Sequence, residues 1–268
     1  MSATTAELRT VIRAPRVSFS HAWRYWLRNA VIFKYTYRLS LLGWFIEPVI
    51  YLVAMGLGLG KYLETVQGIK YIHFIAPGLV ALSVMYGATF ETTWNAFFKM
   101  ERGGIYDAAV STPVELEDVA LGEAMWGATR ATIYGLAFVI IAIPFGVFHS
   151  WWGLLTPVAL VMMGLMFSFM GLTCAYKIST IDYLSYYWTL FLTPMFMFSG
   201  IFFPLDKLPG WVQTLAWFMP LKHCVELMRA LLLTGHPGDA AKAALWIVVV
   251  TVALFPVPLN LLRKRLQN

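Results

Sequence analysis

The chain has 268 residues, of which 59% are hydrophobic and only 13% charged, with a formal net charge of +6. Soluble domains carry roughly 25% charged residues, and apolar runs of about 20 residues have no place in a water-soluble core. The segments between those runs stay under about 40 residues, too short for an independent soluble domain, so residues 1–268 read as one all-α integral membrane domain.

The N-terminal tail, 1–40, is polar and basic. No apolar stretch precedes residue 41, so no cleavable signal is expected. At 100° per residue, Arg16, Arg24, Arg28, Lys34 and Arg38 share an arc of roughly 120°, while Phe19, Ala22, Trp26, Ala30, Phe33 and Tyr37 gather within about 80° on the other side. This predicts an amphipathic helix along the membrane surface, with Arg24 and Arg28 toward headgroups and Trp26 and Phe33 toward acyl chains, before the chain turns inward. Such a helix is a topology anchor, or in addition a contact for a cytosolic partner.

Six apolar segments are long enough to cross a hydrocarbon layer of roughly 30 Å: Leu41–Gly60, Ile72–Thr92, Ala124–Val147, Trp152–Tyr176, Leu184–Phe203 and Ala243–Leu262. An even number places both termini on one side. Arg9, Arg13, Arg16, Arg24, Arg28, Lys34, Arg38, Lys99, Arg102, Arg130, Lys177, Arg263, Lys264 and Arg265 then fall on that side, which the positive-inside tendency makes cytosolic. Cys174 and Cys224 fall toward opposite sides, too far apart to bond.

Within the spans, Glu47 beside Pro48 either lines a polar cavity or sits near the inner interface paired with Arg38 or Arg130, and its shallow depth favours the second. Glu123 and Arg130 lie seven residues apart on one helical face and can pair with other helices. Gly164, Ser168 and Gly171 form a small-residue face suited to close helix packing.

The connection 93–123 contains a short charged helix, a Gly103-Gly104 break, a second helix from Ile105 to Val110, and Pro113 to end it. Glu115, Glu117 and Asp118 follow, favourable for a helix N-terminus. Ile105, Ala108, Ala109 and Val110 are apolar in a loop that should face water, which calls for a cover. The segment 204–235 is too apolar for a loop, yet it is broken by Pro204, Pro209 and Pro220 and charged at Asp206, Lys207, Lys222, Glu226 and Arg229. It reads as a re-entrant helical hairpin on the outer side, with Glu226 and Arg229 as a structural pair.

The loop Glu101, Arg102, Gly103, Gly104, Ile105, Tyr106, Asp107 through Pro113 resembles the cytoplasmic connection of type-2 ATP-binding-cassette exporter permeases. The tail with Pro204, Pro209, Gly210, Pro220, Glu226 and Arg229 resembles that family's second marker. Span number and order agree over nearly the whole chain, and the branch it most resembles exports nodulation factors and lipo-oligosaccharides. The resemblance implies a homodimer of six-helix subunits on two ATPase subunits in a 2+2 complex. It makes the Glu101–Val110 region a coupling helix seated in the ATPase, with the amphipathic helix beside it, and makes the hairpin an outer gate.

No P-loop is present: the Gly60-Lys61 pair is followed by Tyr62, and position 55 is Met. ATP and Mg are therefore expected on the partner ATPase, with no cofactor on this chain. Other partners are a second permease and membrane lipids, with no nucleic acid. A membrane-embedded lipid or glycan transferase would have to use His223, Glu226 and Arg229, with Asp206 nearby. No metal spacing accompanies that set, and no span carries the polar stripe of a passive channel. Glu47, Tyr186, Trp188, Phe196 and Phe198 are the candidate pathway lining. Aromatic residues there stack on sugars, pack on acyl chains or mark membrane interfaces. The family branch favours an amphipathic glycolipid cargo, with hydrophobic drugs or polysaccharides as alternatives.

Overall fold

The computed structural model describes residues 17–63, 65–101 and 104–267, leaving aside the side chains of 37–45, 107 and 267. Arg102, Gly103 and the side chains of Asp107 and Arg38 thus lie outside the described residues. Helix α1 spans Phe19–Val53 without interruption. The predicted turn between a surface helix and a first span is absent, because no Gly or Pro stands between Phe19 and Leu42 to break the backbone ladder. Pro48 sits inside the helix, and the chain loosens only at the widened turn Ala54–Gly58.

A two-residue hairpin, β1 (Thr65–Val66) and β2 (Ile69–Lys70), follows. Gln67 and Gly68 turn it with positive φ at both positions, the geometry that matches strand twist. Helix α2 (Tyr71–Phe90) then runs through a widened turn, Glu91–Asn95, into α3 (Ala96–Glu101). Helix α4 is Ile105–Val110, the bounds expected from sequence. Helix α5 (Leu116–Ala142) starts on a capping box, in which Glu115 and Asp118 each accept the other's backbone N–H. The remaining helices are α6 (Thr156–Lys177), α7 (Ile181–Tyr186), α8 (Thr193–Met197), α9 (Gly210–Trp217), α10 (Pro220–Arg229), α11 (Pro237–Leu254) and α12 (Pro256–Gln267).

Among the described residues, four helical stretches are long and apolar enough to cross a membrane: Tyr71–Glu101, Leu116–Phe145, Trp151–Lys177 and Pro237–Leu266. They coincide with the second, third, fourth and last predicted spans. The predicted fifth span is helical from Ile181 to Met197 only. Beyond it the backbone turns, and Gly200 takes a φ of +78°, which L side chains rarely adopt.

Packing of α2, α5 and α6 depends on small residues. A Cβ at Gly164 would come 3.0 Å from the Ala128 Cα, and one at Gly171 would come 2.1 Å from the Thr92 hydroxyl. Ser168 is buried between them, so the small face serves close approach. One core joins Leu79 and Met85 of α2, Phe138 of α5, Phe167 of α6 and Met228 of α10. A second cluster at one end joins Tyr25, Phe97, Tyr106, Tyr176 and Leu262. The start of α1, the 96–118 connection, the end of α6 and α12 therefore meet at the same end, the grouping that the basic residues suggested.

Candidate functional site

At that end an ionic network is buried beneath α1. Lys99 Nζ lies 2.8 Å and 3.0 Å from the two Glu123 carboxylate oxygens and 3.3 Å from Glu91 Oε1. Arg130 Nη1 is 3.5 Å from Glu91 Oε2, and its guanidinium sits 4.6 Å over the Phe33 ring. The carboxylates also accept from neutral donors: Asn95 and Trp126 on Glu91, Tyr25 and Asn29 on Glu123. Charges taken out of water persist only when their remaining lone pairs are satisfied in this way. Glu123 and Arg130 do pair with other helices. Arg130 serves Glu91, however, so it is not the partner of Glu47, which bonds Tyr51 instead.

Helix α1 seats its Ala22, Tyr25 and Asn29 face on this network. Ser18 N–H and His21 reach Asp118, and Trp26 Nε1 donates to Thr129 Oγ1 at 2.9 Å. Trp26 and Phe33, expected toward acyl chains, pack against Trp126 of α5. Arg24 is exposed, and Arg28 lies over the Tyr25 ring.

Helix α4 is seated on the same platform through Tyr106, with Ile105 and Ala109 packed beside it. Tyr106 is 1% exposed, its hydroxyl 3.3 Å from that of Tyr176 and its ring edge-on to Tyr25. Burial raises its phenol well above the ordinary tyrosine range, so it stays neutral. Of the apolar residues expected to face water, Ile105 and Ala109 are half-buried, while Ala108 and Val110 face outward. Pro113 lies in the exposed turn after α4. Arg265 fastens the edge by bonding Glu101 at 2.5 Å and the carbonyls of Ala175, Tyr176 and Ile178, and Arg263 bonds Glu117 at 3.1 Å.

The segment 204–235 forms α9 and α10, separated at Phe218-Met219 and preceded by a short turn at Leu205–Lys207 after Pro204. Pro209 precedes α9, and Pro220 opens α10. The expected Glu226–Arg229 pair is not formed. Glu226 pairs with Lys222 at 2.9 Å and faces His223 at 3.5 Å. Arg229 donates to the carbonyls of Phe74 (3.2 Å), Gly200 (2.7 Å) and Ile201 (3.4 Å), with its guanidinium 3.8 Å over the Phe74 ring. An arginine three residues on is long enough to leave its own helix for carbonyls freed where the 198–204 turn departs from helix. A catalytic trio is therefore not assembled: His223 Nε2 donates to the Trp217 carbonyl, and Arg229 is committed elsewhere.

Of the pathway candidates, Glu47, Trp188 and Phe196 come together. Tyr51 stands 5.7 Å from Phe196, and Trp188 stacks on Tyr86 and donates to Thr93 Oγ1 at 3.2 Å. Tyr186 is exposed against Tyr183, and Phe198 is half-buried at the end of α8. Sequence reasoning missed Glu91, Asn95, Tyr25 and Tyr176. The available signal was a carboxylate, Glu91, at the end of an apolar span with Lys99 two helical turns later.

Residues 21–233 match the family described as ABC-2 type transporter. Nodulation protein J of Rhizobium leguminosarum bv. trifolii is 38% identical over 243 residues, covering 90% of this chain and 92% of the relative. Nodulation protein J of Sinorhizobium fredii (strain NBRC 101917 / NGR234) is 36% identical over 244 residues, 91% and 93% of the two chains. The inner membrane transport permease YadH of Escherichia coli (strain K12) is 27% identical over 187 residues, 69% and 72% of the two chains.

Proposed function

Because the chain belongs to the ABC-2 type transporter family and is a multi-pass transport permease of a bacterial inner membrane, we propose that it is the membrane subunit of an ATP-driven exporter of an amphipathic lipo-oligosaccharide. In this reading six segments cross the bilayer, with α1 from about residue 41 and the Ile181–Met197 stretch adding to the four long helices. Both termini face the cytosol, and the Pro204–Leu233 hairpin dips into the outer leaflet as a gate. Two copies sit on two ATPase subunits, which hold ATP and Mg.

One observation carries the coupling: α4 turns Ala108 and Val110 outward while Tyr106 plugs it into the same cluster as Tyr25 of α1 and Tyr176 of α6. A push on its outer surface reaches α1, α5 and α6 through packed side chains and the Lys99 network, which a two-state pathway requires. Ile105, Pro113 and Glu101 frame this contact, and Arg24 and Arg28 present α1's basic side to headgroups. The cargo assignment is supported by the relatives named nodulation protein J and by the aromatic face around Tyr51, Trp188 and Phe196. The test is reconstitution in vesicles with its partner ATPase. Lipo-oligosaccharides should stimulate hydrolysis and cross between leaflets; stimulation by hydrophobic drugs alone would remove the cargo assignment.

A further inference from the structure

Away from the ionic network, α10 and the start of α11 enclose an open cavity of about 480 Å³. The indoles of Trp217 and Trp246 wall it, and Lys222, Glu226, Arg229 and Lys242 line it. Trp246 is held in place by stacking on the buried His223 ring at 4.0 Å. Lys222 pairs with Glu226 at 2.9 Å and Lys242 with Asp239 at 3.8 Å, whereas Arg229 has no carboxylate within ion-pair distance among the described residues. Cations thus outnumber anions, yet both signs are present. A simple anion would meet Glu226 and Asp239, and a simple ammonium would meet Lys222, Arg229 and Lys242. A phosphate and an ammonium on one short linker satisfy both sets, and indole faces attract an ammonium further.

The cavity also adjoins lipid. Val249 lies seven residues beyond Lys242, on the same face of α11, and is exposed. Leu245, Val248 and Val252 are exposed beside it, so below the charged rim the surface turns to hydrocarbon. We propose that this cavity binds the headgroup of a zwitterionic phospholipid, its phosphate toward Lys222 and Lys242, its ammonium toward Glu226 and the indole rim, and its acyl chains running past Val249, with Arg229 adding positive charge from the cavity wall. The site lies on the hairpin that the proposed function makes the gate and rests on that reading for its place in the bilayer, but its test reads lipid retention and needs no transport assay.

The delipidated full chain is titrated, under native mass spectrometry, with dioleoyl-phosphatidylethanolamine, dioleoyl-phosphatidylglycerol, which keeps the phosphate but lacks the ammonium, and uncharged dioleoylglycerol. One phosphatidylethanolamine per protomer should be retained with about a tenfold preference over phosphatidylglycerol. Glu226→Gln should abolish that preference, and Lys222→Gln with Lys242→Gln should weaken both phospholipids. Should Glu226→Gln fail to fold, Asp239→Asn on the exposed rim reads the same preference. Soluble phosphoethanolamine should compete. Equal retention of all three lipids, unchanged in the variants, means annular lipid only and overturns the proposal. A preference for phosphatidylglycerol overturns it as well, since the site would then be a plain anion site.

Discussion

The two ends of the molecule use charge in opposite ways. At the α1 end, two carboxylates and two cations from the widened turn Glu91–Asn95, α3 and α5 close on one another, and further donors from α1 complete their shells. At the hairpin end, Arg229 is held by carbonyls and a ring, while Glu226 remains nearly half exposed beside Lys222. The first arrangement welds several helices into one body. The second pins a turn and leaves a carboxylate at the surface. Beyond that turn, α10 is anchored by its apolar face, with Leu221, Cys224, Val225 and Met228 buried in the main core.

The sharpest way to break this contrast is Lys99→Met, which strands Glu91 and Glu123 in the interior. It should cost about 3–5 kcal/mol in unfolding experiments in detergent, and adding Glu123→Gln should restore part of the loss. A loss under about 1 kcal/mol would place the network with ordinary surface ion pairs. Arg229→Gln comes next: the carbonyls of Phe74, Gly200 and Ile201 lose their donor, at about 2–3 kcal/mol. Protease cutting within 198–204 should rise in that variant, while the α4 region stays protected. Tyr106→Phe removes one buried hydroxyl contact and should cost about 1 kcal/mol by the same unfolding measurement.

Glu226→Gln should have the smallest effect, and one that depends on pH. Burial pushes the Glu226 carboxyl up, but hydrogen bonds and charge from His223 and Lys222 outweigh it and hold the carboxyl below the ordinary glutamate range. A depressed folded value means that the stabilisation is full above the unfolded pKa of about 4.3 and fades as pH falls through the folded value. Unfolding curves of wild type and Glu226→Gln should therefore stay separate above the unfolded pKa of about 4.3 and converge only as pH falls through the lower folded value.

The long helices were legible because apolar runs of span length admit one structure in a bilayer. The bounds of α4 were legible because Gly104 and Pro113 bracket it, and the face of Gly164, Ser168 and Gly171 because small residues at helical spacing have one use. The pairing of Glu123 and Arg130 with other helices was legible, but the meeting of Glu91 with Lys99 was not. A regular helix puts residues eight apart about 80° away around its axis, and the widened turn Glu91–Asn95 changes that phase so that Lys99 meets Glu91. Glu226 and Arg229 at i and i+3 suggested a pair, but tertiary carbonyls competed for the guanidinium and won. The continuity of α1 was missed because the change from basic-amphipathic to apolar residues resembles a boundary, whereas the backbone responds only to Gly, Pro and packing.

In the proposed function, the outward surface of α4 receives the ATPase stroke and Tyr106 passes it inward. The most direct test is Ala108→Glu with Val110→Glu, in the permease reconstituted with its ATPase, followed by vesicle transport and ATP hydrolysis in the same sample. Exposed positions should leave unfolding stability within about 0.5 kcal/mol of wild type. Transport should fall at least about tenfold, as the loss of a buried apolar contact at a coupling interface implies. Undiminished, substrate-stimulated transport by the folded double variant would contradict the claim.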